Sequence, residues 1–116
     1  MTLQPIILLD CQTEDSNYTY KKYQRVNGGQ TFSDKAELRI FGSFDGGVVT
    51  LSVKEADSEG TEYDIPVRDE AGNILEIVDN TIVQLSLTAY EEVSANLNGA
   101  GAGTKVTVKL YELRSK

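Results

Sequence analysis

Side-chain catalysis usually starts from a base that titrates near neutral pH, and this chain contains no histidine. Its single cysteine, Cys11, has no imidazole to activate it, and neither a Ser–His nor a Cys–His pair can be assembled. One thiol also excludes an internal disulfide and a zinc cluster, so Cys11 reads as a small, partly buried side chain. Carboxylates are plentiful but gather in turn-like sequence. Asp57-Ser58-Glu59-Gly60, followed by Glu62 and Asp64, offers the oxygen ligands that Ca²⁺ takes. It lacks the spaced D-x-[DN]-x-[DN]-G order of a calcium loop, and a solvated hairpin tip is the simpler reading. Asp69-Glu70-Ala71-Gly72-Asn73 has the same status. Gly99 to Gly103 follows no parallel strand and opens no helix, the context that a phosphate cradle needs. The residue types therefore predict no enzyme, no catalytic residue, no metal and no cofactor.

One stretch carries recognition chemistry instead. Tyr18, Tyr20 and Tyr23 alternate loosely with Lys21, Lys22 and Arg25, and no acidic residue stands between Asp15 and Asp34. Tyrosine supplies contact area at low rotamer cost, and arginine joins it as a typical interface anchor. These six residues are candidate partner-binding residues on a docking arm attracted to an acidic protein surface. The competing reading packs the tyrosines on their own domain as part of an edge strand.

The elements that would carry such residues are strands. The chain has 116 residues and a formal net charge of −7, enough for one core and too acidic a surface to favour phosphate backbones, so nucleic acid is not an expected partner. No run approaches the roughly eighteen apolar residues of a membrane span. Ile6 to Leu9 is too short for a signal-peptide core and has no basic leader, which predicts synthesis in the cytoplasm without an export signal. From Ala36 onward the pattern has period 2. Leu38 and Ile40, then Val49, Leu51 and Val53, flank Asp45-Gly46-Gly47, a strong hairpin signal. Ile65 and Val67, Val83 and Leu85, and Val106 and Val108 continue the inward set. Seven or eight short strands at this spacing argue for an antiparallel sandwich or a small barrel. The expectation is an all-β antiparallel sandwich, a jelly roll or an Ig-like meander, in which neighbouring strands mostly pair and one connection crosses between sheets. Residues 1–34, with a polar loop from Asp10 to Asp34, form an N-terminal edge segment and arm, and residues 35–116 the sandwich. Phe41 and Tyr111, with Ile82, Leu75 and Leu113, fall opposite the inward sets as a second apolar face. Phe41 and Tyr111 complete the candidate partner-binding set.

The stretch Phe41-Gly42-Ser43-Phe44-Asp45-Gly46-Gly47-Val48-Val49-Thr50-Leu51 resembles a pattern of small β-sandwich virion proteins of tailed bacteriophages. There an F-G-x-F-(D/G)-G-x-x-V-T-L hairpin precedes an I-P-V strand and a short D-x-x-G-N turn. Ile65-Pro66-Val67 and Asp69 to Asn73 stand in the corresponding places, and the similarity runs from about Leu38 to Leu110. The chain departs from the pattern where an aromatic-rich strand is replaced by the acidic SVKEADSEGTEYD, and in its longer N-terminal arm. The resemblance implies a capsid cement or decoration protein, made in the host cytoplasm and seated as a trimer on the capsid surface. Its partner would be the major capsid protein, whose subunits it would bridge. The alternative is a tail- or fibre-associated module that binds host glycan, with Tyr63, Tyr90 and Tyr111 as stacking platforms.

Overall fold

Alternating sequence becomes strand where every second side chain has a core to face. The computed structural model describes residues 6–20, 35–86 and 92–112, which form eight strands and no helix. These are β1 (Ile6–Gln12), β2 (Ser16–Tyr20), β3 (Lys35–Ser43), β4 (Val48–Ala56), β5 (Glu62–Pro66), β6 (Thr81–Ser86), β7 (Glu92–Asn98) and β8 (Lys105–Glu112). They make two four-stranded antiparallel sheets, ordered β1-β8-β3-β6 and β2-β7-β4-β5. The all-β antiparallel sandwich expected from the sequence is what the chain forms.

The pairing has a simple logic. β1 pairs β8, β2 pairs β7, β3 pairs β6 and β4 pairs β5, as in one long ribbon folded back at the β4–β5 turn. Rolling that ribbon adds the β3–β8 and β4–β7 ladders and closes the sandwich. This is jelly-roll topology. A meander with one crossover is excluded, because every connection between consecutive strands except β4–β5 changes sheet.

The expected β3–β4 hairpin is therefore corrected. Its two strands belong to different sheets, and Asp45-Gly46 turns an arch between them. Alternation cannot separate the two outcomes: Leu38 and Ile40 meet Val49 and Leu51 across one core instead of side by side on one face. The turn is built for the corner. Phe44 tucks into the core beneath it, and Gly47 N–H donates to the Phe44 carbonyl at 2.6 Å. Asp45 takes a φ of 40° and its Oδ2 accepts from Gly103 N–H at 2.6 Å. The Thr104 hydroxyl donates to the Phe44 carbonyl at 2.8 Å and accepts from Gly101 N–H. Ala100 N–H donates to Asp15 Oδ1 at 2.8 Å, so three inter-strand loops are tied together at one end of the roll.

The core holds Leu38, Ile40, Val49, Leu51, Val106 and Val108 as expected, with Val53, Val67, Val83 and Leu85 packed against it and partly buried. Ile65 is the exception at 46% exposure, on the edge strand β5. Leu75 was expected outside but packs against the core, drawn in by the bridge between Val49 and Ile77. Leu8, Leu9, Phe44, Ile77 and the alternating Val93, Ala95 and Leu97 of β7 complete it. The polar segment from Asp10 onward is not all loop. Residues 16–20 form β2, because β7 offers a free ladder to them, and β1 and β2 are edge strands of the two sheets, so the N-terminal edge segment is part of the sandwich. Cys11 is exposed at a φ of 49°, turned outward where β1 is irregular.

Candidate functional site

The outer face of sheet β1-β8-β3-β6 brings together side chains that the sequence scatters. Cross-strand register sets Ile7 opposite Lys109, Lys109 opposite Arg39, and Arg39 opposite Ile82, one row across all four strands. Tyr111 stands opposite Glu37 on one side of this row, and Phe41 opposite Thr107 on the other. Leu38, Ile40, Val108 and Leu110 alternate with these residues and are fully buried, which fixes the outward direction of the row.

Two cations directly opposite each other on neighbouring strands repel, and such pairs destabilise a sheet. Arg39 and Lys109 separate by leaning apart. The Arg39 guanidinium lies 4.3 Å from the Tyr111 ring centroid, and the Lys109 ammonium lies 5.9 Å from that of Phe41. Arg39 Nε also donates to Glu37 Oε2 at 2.7 Å. That hydrogen bond is the main reason the Arg39 pKa is raised above its ordinary value, so the group stays cationic. Lys105 is exposed on the same face, opposite Ser43. Phe41 and Ile82 remain exposed, and with Arg39, Ile40, Asn80 and Thr81 they line a groove of about 330 Å³. An aromatic, aliphatic and cationic surface of this kind can desolvate against an apolar anchor and pair with carboxylates.

Of the expected partner-binding residues, Phe41 and Tyr111 meet here, each under a cation. Tyr18 and Tyr20 lie on β2, at the edge of the other sheet, opposite Ala95 and Val93. Their backbone belongs to a ladder and not to a free arm. Lys21, Lys22, Tyr23 and Arg25 lie outside the described residues, as do Tyr90 and Leu113. Tyr63 and Tyr111 stand on different sheets and share no platform. Ile7, Arg39 and Lys109 were missed. The alternation placed the two cations outward, but only register shows that they oppose each other. The acidic turns fold on themselves: Asp57 Oδ1 accepts from Glu59 N–H and Thr61 N–H, and Asp69 Oδ1 from Ala71 N–H and Asn73 N–H. Compared with family models, curated proteins and solved structures, the chain matches none.

Proposed function

We propose that the protein is a non-catalytic structural component of a tailed-phage virion. It is a decoration or cement protein that docks on the outside of the capsid through the outer face of sheet β1-β8-β3-β6 and stabilises the shell by bridging subunits of the major capsid protein. The observation that carries the docking face is the opposed pair Arg39 and Lys109. A chain of net charge −7 keeps two cations opposite each other in mid-sheet, at a cost to the sheet, beside exposed Phe41 and Ile82. A partner surface bearing carboxylates around an apolar anchor removes that cost on binding. The virion assignment is supported by the resemblance of Phe41 to Leu51, and the jelly-roll topology is one that viral capsid domains use. Copy number supplies the avidity that one small face lacks.

The test of cementing is mechanical. Purified shells saturated with the protein should open at higher temperature than bare shells, and the gain should shrink as salt screens the exposed part of the attraction. Identical opening temperatures with the protein bound would remove the cement role. The glycan-binding alternative has less support, since Tyr63 and Tyr111 stand on different sheets.

A further inference from the structure

A sheet edge presents a row of unpaired backbone N–H and C=O groups, and folded proteins blunt such edges with charges, proline, bulges or short strands. Among the described residues the edges are β1, β6, β2 and β5. β1 is broken by two register shifts, and β5 carries Glu62, Asp64 and Pro66. β2 is five residues long and runs straight into Lys21 and Lys22. β6 has no such device. Thr81-Ile82-Val83-Gln84-Leu85-Ser86 contains no charge, proline or glycine, and pairs β3 without a shift over its six residues. Its side chains from Thr81 to Leu85 are at most partly covered as well. Ile82 is 61% exposed on the outer face, and inward-pointing Val83 and Leu85 are only partly buried although their β3 partners Leu38 and Ala36 are fully so. On the same flank, β5 leaves Tyr63 and Ile65 exposed.

We propose that β6 is a self-association edge, at which two copies of this chain pair β6 to β6, antiparallel, about a two-fold axis. The two sheets β1-β8-β3-β6 then become one eight-stranded sheet. The occupant is a second copy because an isologous contact places each residue opposite its own image or near it. On a surface with a net charge of −7 most such contacts set like charges together, and β6 has no charge to oppose. Opposed residues of an antiparallel pair share a face, so the axis passes through Val83 or Gln84. With the axis at Gln84, Val83 meets Leu85 on the inner side and closes part of the open flank, while Ile82 meets Ser86 outside. Six residues give a contact about 20 Å long. The outer faces of the two copies become continuous, so pairing doubles the docking surface without covering it.

Analytical ultracentrifugation of the full chain, up to about 100 µM, should find a species of twice the 12.7 kDa chain mass. Gln84 is exposed opposite Glu37, so Gln84→Lys should keep the wild-type Tm and Gln84→Glu, which sets two carboxylates opposite each other, should lower it slightly, while each weakens self-association about tenfold or more by repulsion at the axis. Mixed, the two variants should pair again. Ile82→Lys, on the same strand, is a second variant expected to weaken the dimer should Gln84→Lys disturb the fold. A monomer at all concentrations, the three-fold species that the family resemblance implies, or a dimer that none of these substitutions moves would overturn the proposal.

Discussion

A methyl group added to Gly42 would stand 2.1 Å from the Lys105 carbonyl oxygen, at a φ of +134° that side-chain-bearing residues rarely adopt. Gly42 N–H donates out of the sheet to Asn80 Oδ1 at 2.9 Å, so backbone geometry and close approach both demand glycine there. Gly42→Ala should lower unfolding free energy by about 3 kcal/mol or more, read from the urea midpoint at unchanged m. Thr104 is specified by its hydroxyl instead, which bridges the Phe44 carbonyl and Gly101 N–H in a buried site. Thr104→Val keeps the shape but strands Gly101 N–H and leaves the Phe44 carbonyl with Gly47 N–H alone, and should cost about 1–3 kcal/mol by the same measurement. Lys109 belongs to a different class. Lys109→Thr removes like-charge repulsion from mid-sheet, so stability should hold or rise within about 0.5 kcal/mol while binding to shells weakens. A stability loss comparable to that of Thr104→Val would mean that Lys109 serves the fold.

At the scale of elements, the sequence reports strands and turns but not which sheet each strand joins. Alternation at Ala36 to Val53 correctly placed Leu38, Ile40, Val49 and Leu51 inside, and Asp45-Gly46 correctly marked the turn. A hairpin and an arch between sheets satisfy that pattern equally, since facing residues and neighbouring residues are both apolar. The arch follows from the partner of the Asp45 carboxylate, Gly103 N–H, which lies far along the chain. The candidate site was half legible for the same reason. Phe41 and Tyr111 stood out as apolar residues on the wrong phase, whereas the opposition of Arg39 and Lys109 exists only once β3 and β8 pair. The sequence leaves β2 with two readings, an edge strand or a docking arm, because Ser16 to Tyr20 has no apolar alternation beyond its tyrosines and its pairing is dictated by β7. The burial contrast between strands is testable: Leu51→Ala, at full burial on β4, should cost about 2–5 kcal/mol, and Ile65→Ala on the open edge less than half as much.

For the whole molecule, the folded ribbon explains why its N-terminal part cannot be treated as an appendage. Removing residues 1–30 would take away β1 and β2, one edge of each sheet, and expose Leu110 and Val108 beside the lost Leu9. Such a truncation should fail to fold, shown by loss of the cooperative thermal transition, and cannot report on docking. The charge distribution is equally global. Arg39, Lys105 and Lys109 share one face of an acidic protein, so that face and not the rest of the described surface should steer an acidic partner. The measurement that tests this most directly is the occupancy of purified shells, at low salt, by the wild-type chain and by the folded double variant Arg39→Glu with Lys109→Glu. The account predicts near-saturation for the first and a loss of about tenfold or more in affinity for the second, with a cooperative thermal transition retained. Equal occupancy by both would contradict it and remove the outer face of sheet β1-β8-β3-β6 from the docking surface.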